Sequence, residues 1–251
     1  MEPRITSTQN EFVKSAKSLK TKKGRTEHGA FLVEGQKCVT ELITHMPDIL
    51  SSLIVCGTQY EKTVNRVKKM GRRVYSVEEH VMAAICDCKT PQGIAAVAIK
   101  PMHADISEGF IVALDDVQDP QNVGTIIRTA DAAGCSGVVL SPESADCYAP
   151  KAVRASMGSL FHLPVLYDDL ALYVSKLLTR GYRIACADIE GSEEFQLEPA
   201  RTCLVIGNES RGVSDDMLAL CTDRIRIPMY GQAESLNAAV AAGILIYKIR
   251  T

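Results

Sequence analysis

From residue 110 onward, short apolar runs recur at regular intervals with helix-patterned segments between them. The runs are Ile111 to Leu114, Val138 to Leu140, Pro164 to Leu166, Tyr182 to Ala187, Cys203 to Ile206 and Arg224 to Ile227. Helical spacing covers Val123 to Ala133, Lys151 to Met157, Leu170 to Leu178, Asp215 to Leu220 and Leu236 to Ile249. Gly134 and Gly181 stand where helices stop, and Ser214 stands where one starts. Strands that are apolar throughout, rather than alternating, are buried on both faces. Combined with the β-α rhythm, this predicts a mostly parallel sheet covered by helices on each side.

A second, smaller α/β pattern precedes it. Phe31 to Val33 reads as a strand and Lys37 to His45 as a helix. Leu53 to Cys56 reads as a strand, Lys62 to Met70 as a basic amphipathic helix, and Val74 to Val77 and Ile94 to Ile99 as further strands. The division falls near Lys100-Pro101-Met102-His103-Ala104-Asp105. The expected organisation is a domain over 1–100, a linker over 101–109 and a domain over 110–251.

Charge divides the same way. Residues 1–100 hold 16 Lys and Arg against 10 Asp and Glu, a net of +6; residues 101–251 hold 12 against 20, a net of −8. Lys14, Lys17, Lys20, Lys22, Lys23 and Arg25 form a run with only basic charges between them. Such a run can follow a phosphate backbone, or it can be a solvated helix face and loop. Lys62, Arg66, Lys68, Lys69, Arg72 and Arg73 make a second basic set.

No apolar run approaches the roughly 20 residues of a membrane span. Residues 1–20 carry no secretory h-region. The nine cysteines include no Cys-x-x-Cys pair, and the five histidines are scattered away from them. No metal site is expected, and reduced cysteines in a cytoplasmic protein are.

Three polar clusters each close an apolar run in the second part. The first is Gln118-Asp119-Pro120-Gln121-Asn122-Val123-Gly124, with Arg128 following. The second is Gly207-Asn208-Glu209-Ser210-Arg211-Gly212. The third is Ile227-Pro228-Met229, with Glu234-Ser235-Leu236-Asn237 beyond it. In an open α/β sheet, ligands bind at the carboxyl ends of the strands. Helix capping is the competing account of Asn122 and Ser235, a first-turn position that of Asn237, and a surface turn that of Glu209. Arg128 lies among Ile126, Ile127, Ala130 and Ala133, so the exposed face of its helix is narrow. There is no Gly-x-Gly-x-x-Gly, no Walker lysine motif and no Gly-x-Ser-x-Gly elbow. The residues by themselves reach an α/β domain with a polar, ligand-sized crevice.

Together the clusters resemble the three signature motifs of the SpoU, or TrmH, family of RNA ribose 2′-O-methyltransferases in the SPOUT superfamily. The likeness runs through Asp116 to Gly134, Leu204 to Gly212, and Ile225 to Ala241. More loosely, residues 1–100 resemble that family's N-terminal RNA-binding domain, a ribosomal-protein-like α/β fold, with Phe31-Leu32-Val33-Glu34-Gly35 as its early strand. The resemblance implies a C-terminal chain threaded into a deep trefoil knot, which general connection rules would not suggest. It implies S-adenosylmethionine as cofactor, held by backbone near Ile206, Gly207, Ile227, Met229 and Leu236. It maps the polar functional residues onto Asn122, Arg128, Glu209, Ser235 and Asn237. A homodimer is implied too. The charge division, separately, assigns RNA binding to Lys14, Lys17, Lys20, Lys22, Lys23 and Arg25.

The implied substrate is a ribose hydroxyl of RNA, with ribosomal RNA ahead of transfer RNA. A base-modifying relative and a non-catalytic RNA-binding relative remain alternatives. Arginine stays protonated at any working pH, so Arg128 is expected to act as a cation at the phosphate or oxyanion rather than as a base. Glu209 is expected to accept the proton or to orient Arg128. Asn122 and Ser235 are expected to fix the ribose and nearby loops, and Asn237 the knot.

Overall fold

The computed structural model describes residues 4–102 and 105–251. His103 and Ala104 of the expected linker, and the first three residues, lie outside the described residues. The chain forms two compact units. The first comprises residues 4–102 together with 146–161. The second comprises 105–145 and 162–251. Residues 146–161, which sequence order alone would group with 110–251, therefore pack in the first unit.

The first unit runs α1 (Glu11–Ser18), α2 (Lys22–His28), β1 (Ala30–Glu34), α3 (Gln36–His45), β2 (Leu50–Val55), α4 (Glu61–Lys69), β3 (Arg73–Ser76), α5 (Glu79–Ile85) and β4 (Ile94–Ile99). Its sheet has the order β1-β4-β2-β3. It is mixed: β4 is antiparallel to both β1 and β2, while β2 and β3 are parallel. Residues 146–161 bring aromatic rings onto β1. Phe31 meets Tyr148 at 4.7 Å and Phe161 at 6.4 Å between ring centroids.

In the second unit β5 (Ile111–Leu114), α6 (Pro120–Ala132) and β6 (Gly137–Leu140) come first. The helix α7 (Pro150–Ser156) belongs to the first unit. Next come β7 (Val165–Tyr167), α8 (Leu170–Thr179), β8 (Arg183–Ser192), β9 (Thr202–Ile206), α9 (Asp215–Ala219), β10 (Asp223–Ile225) and α10 (Ala238–Arg250). The sheet order is β10-β8-β9-β5-β6-β7, and every pairing is parallel. The central strands β5, β6 and β9 are buried along their whole length, as their apolar runs require.

This order positions the site. The chain leaves β5 in one direction through β6 and β7, then crosses so that β9 pairs with the other side of β5. The carboxyl ends of β5 and β9 are neighbours, with Leu114 opposite Ile206. That is a topological switch point, where an open α/β sheet forms its ligand crevice. From β10, at the far edge, the chain returns to α10, which packs on α6. Buried Ala238, Ala239 and Ala242 let the two helices approach closely.

Candidate active site

The loop after β5 and the loop after β9 are joined at Glu209. Its Oε1 accepts from the Asp119 N–H at 3.1 Å and from Asn122 Nδ2 at 2.9 Å. Its Oε2 accepts from the Gln118 N–H at 3.0 Å. Asn122 Oδ1 in turn accepts from Asn237 Nδ2 at 3.0 Å. Asn237 Oδ1 closes the series by capping α10, accepting from the N–H groups of Ala239 at 3.0 Å and Val240 at 3.3 Å. One chain of hydrogen bonds thus ties all three polar clusters together.

Neither Asn122 nor Ser235 is a helix cap. Asp119 caps α6 through its bond to the Gln121 N–H, and Asn122 sits inside the first turn, buried at 6% exposure. Its amide is thereby turned away from the helix end and toward Glu209 and Asn237. Likewise Asn237, not Ser235, caps α10. Ser235 is exposed and makes no hydrogen bond among the described residues.

Burial alone would raise the Glu209 carboxyl. The hydrogen bonds from Gln118, Asn122 and Asp119 outweigh it and hold the group below the usual carboxylate range. A depressed folded-state value means that the ionised clamp is complete above the ordinary glutamate range. It is lost only as pH falls through the lower folded value. Glu209 is therefore an ionised acceptor at working pH, held by three hydrogen bonds. No hydrogen bond or ion pair joins it to Arg128 among the described residues. Arg128 itself is exposed on α6 and has no hydrogen-bond or ion-pair partner among the described residues.

Residues around this clamp carry roles that sequence reading did not single out. Asp116 adopts a left-handed backbone, φ 58°, uncommon for a non-glycine residue. Its carbonyl accepts from Asn208 Nδ2 at 2.9 Å, and its carboxylate pairs with Arg211 and with Gln118 Nε2. Asp115, 8% exposed, accepts the Ser214 N–H at 2.7 Å. These contacts lock the β9 loop against the β5 loop. The signal was present in the sequence as polar residues at the strand ends, but partners about 90 residues apart leave no local spacing to read.

Gly207 stands where these loops cross. A Cβ there would collide with the backbone of Gly212 and Val213, so the position admits only glycine. Ile206 ends β9, Ile227 and Met229 follow β10, and Leu236 precedes α10. Arg226 donates its N–H to the Ser192 carbonyl at 2.9 Å. From 227 to 236 no backbone N–H or C=O has a hydrogen-bond partner among the described residues. Ile227, Pro228 and Leu236 in that stretch are half-buried. Backbone groups without partners in the chain, beside half-buried apolar side chains, are open to a ligand carrying both polar edges and an apolar body.

The basic run divides in the structure. Lys14, Lys17, Lys22 and Lys23 are exposed. Lys20 Nζ donates to the Ala84 carbonyl at 2.6 Å. Arg25 does not belong to an RNA-binding surface: it is 3% exposed, its Nε meets Asp146 Oδ2 at 2.7 Å, and its Nη1 donates to the carbonyls of Leu19 at 2.9 Å and Lys20 at 3.0 Å. Its charge is neutralised inside the first unit.

Elsewhere in the first unit, Glu34, Cys86 and Cys88 approach one another closely enough to suggest a metal cage. The Glu34 oxygens are already engaged by the N–H groups of Asp87 at 2.8 Å and Cys88 at 3.3 Å and by Arg154 at 3.0 Å. That pattern is a buried, satisfied carboxylate rather than a ligand set. Burial pushes the thiols of Cys38 up to about 11 and of Cys135 and Cys203 up to about 12, which keeps them protonated and inert.

Both parts of the chain match known proteins. Residues 109–247 match the SpoU rRNA Methylase family, and residues 10–96 match the MRM3-like substrate binding domain. A 23S rRNA (guanosine(2553)-2′-O)-methyltransferase of Bacillus subtilis, RlmP, is 38% identical over 98% of both chains. The crystal structure of an AdoMet-bound rRNA methyltransferase from Sinorhizobium meliloti superimposes with a TM-score of 0.89 at 32% identity, covering 99% of this chain and 97% of that one. The SpoU methyltransferase AviRb from Streptomyces viridochromogenes, in complex with AdoMet, gives a TM-score of 0.85 at 29% identity, with 96% and 97% covered.

Proposed function

The chain belongs to the SpoU rRNA methylase family, and we propose that it transfers a methyl group from S-adenosylmethionine to a ribose 2′-hydroxyl of ribosomal RNA. The observation that carries this reading is the clamp Gln118/Asp119–Glu209–Asn122–Asn237, which gathers the three clusters at the switch point of a parallel sheet.

The cofactor supplies an activated methyl group on a sulfonium, so the protein's tasks are placement and charge. Backbone along 227–236, with Gly207 and the side chains of Ile206, Ile227, Met229 and Leu236, holds the cofactor. Arg128 is the available cation. Its planar fork suits a phosphate or a developing oxyanion, and its permanent charge rules it out as a base. Glu209 is a positioning residue, because three hydrogen bonds hold its carboxylate between the loops and keep it ionised. Asn122 and Asn237 are positioning residues for the same reason: each amide is used within the clamp. Ser235, exposed and unbonded, is assigned to the ribose. The proton leaves the hydroxyl late, to water. The knot implied by the motifs would be formed by the passage from β10 back to α10.

RNA capture is assigned to the first unit, through Lys14, Lys17, Lys22 and Lys23, because the second part of the chain is net negative. The ribosomal substrate makes the setting cytoplasmic. Among the described residues no helix is long and apolar enough to cross a membrane.

A homodimer is part of the proposal. Val240, Ile244 and Tyr247, at 51%, 42% and 48% exposure, form an apolar stripe on the exposed face of α10. A two-fold pair would cover it isologously, the commonest arrangement of identical subunits. Sedimentation of the full chain should give a dimer, and Ile244→Asp with Tyr247→Asp should give a monomer. A wild-type monomer with full activity would remove the dimer.

The activity itself is tested in cells. Ribosomal RNA from cells lacking the protein should gain one alkali-labile position, because a 2′-O-methyl group blocks alkaline cleavage. The wild-type protein should restore resistance. An unchanged cleavage pattern would reject ribosomal RNA as the substrate.

A further inference from the structure

We propose that a cleft in the first unit binds one unpaired nucleotide of the substrate RNA; the proposal rests on the RNA-methylating function above and adds a specific contact to it. The cleft has a volume of about 410 Å³ and lies between α1 and the ends of β2 and β3. That falls within the roughly 300–1,000 Å³ of small-ligand sites. It suits one nucleotide and excludes a duplex.

Three features define the ligand. First, Arg72 and Arg73 bring positive charge to the cleft, His28 also lines it, and no aspartate or glutamate among the described residues does. His28 is exposed with no hydrogen bond among the described residues. Arg72 is fixed by a bond from Nη2 to the Asp48 carbonyl at 3.0 Å, which leaves other N–H donors of its fork. This favours an anion. Second, Phe12 and Tyr75, both half-buried, stack at 3.6 Å between centroids and 18° between planes. An aromatic pair in the wall of a cleft is a platform for a base, and unstacked bases are what proteins read in RNA.

Third, Ser52 is 4% exposed, lines the cleft and makes no hydrogen bond through its hydroxyl among the described residues. A buried hydroxyl without a partner is unfavourable. Its placement has a cause in the backbone. The β2–β4 register slips between Leu50 and Ser52, and a bulge re-aims side chains. Adjacent residues of a regular strand face opposite ways, whereas here both Ser51 and Ser52 line the cleft. A base edge would supply the missing partner. Cation, stacking surface and unpaired hydroxyl together describe a nucleotide. The Lys14 to Lys23 surface offers charge alone.

The test is binding of the full-length protein to a labelled single-stranded oligoadenylate, with Tyr75→Ala and Ser52→Val as variants. Tyr75→Ala should weaken binding about 5- to 150-fold, the range for losing one stacked base. Ser52→Val, which keeps the strand's shape, should also weaken it, while S-adenosylmethionine affinity and thermal unfolding stay at wild-type values. A fully paired RNA should fail to compete. Wild-type affinity in both variants would overturn the cleft while leaving the RNA-methylating function standing. A wild-type protein that binds no RNA would overturn both. Adenosine monophosphate binding as tightly as the oligonucleotide would make this a free-nucleotide site and overturn the RNA assignment.

Discussion

Arg128→Ala is expected to lower methyl transfer by about 10²–10³-fold while S-adenosylmethionine still binds. Removing one preorganised charge contact from a reacting centre has an effect of that size. The guanidinium has no partner among the described residues, so its loss leaves the clamp and the fold intact. The cofactor is assigned to the loop after β10 and to Gly207, which Arg128 does not support by any hydrogen bond. Single-turnover transfer and cofactor titration on the same preparation separate the two effects. Arg128→Lys should recover only part of the rate, because the ammonium lacks the planar fork. Near-normal turnover in Arg128→Ala would sink the assignment.

Arg25→Ala is expected to destabilise the protein by about 3–5 kcal/mol, the usual consequence of leaving one partner of a buried ion pair alone. The side chains of Arg25 and Asp146 are 4% and 10% exposed, and the pair is 2.7 Å apart. Two backbone carbonyls also lose their donor. Lys22→Ala and Lys23→Ala, on the exposed part of the same run, should change stability by no more than about 0.5 kcal/mol. Urea unfolding measures both. Replacing the pair together, Arg25→Met with Asp146→Leu, should recover much of the loss, since no buried charge is then left unpaired. A loss below about 1 kcal/mol for Arg25→Ala would contradict the buried pairing.

These two arginines show what the sequence can and cannot disclose. The strands β5, β6 and β9 were legible because a parallel strand buried on both faces must be apolar throughout. The long helices were legible because their apolar stripes recur every third or fourth residue. The helix α5 was not read, although α7, equally short, was. Arg25 read as one more cation in a basic run, because the residue that buries it stands 121 positions away. The three motif clusters marked the site. Which amide capped a helix and which joined the clamp was decided by contacts between Asn122, Glu209 and Asn237, and helix-start preferences cannot distinguish the two. The mixed sheet of the first unit was hidden for a related reason, since a run such as Ile94 to Ile99 does not declare its direction.

The central claim is transfer to a ribose oxygen, and the most direct measurement follows the methyl group itself. Purified protein, S-adenosylmethionine labelled on its methyl and unmodified ribosomal RNA are incubated together, and the RNA is digested to nucleosides. The label should reside in a single 2′-O-methylnucleoside and be absent from the product of Arg128→Ala. Label on a base nitrogen or carbon, or none on RNA in the presence of bound cofactor, would contradict the account.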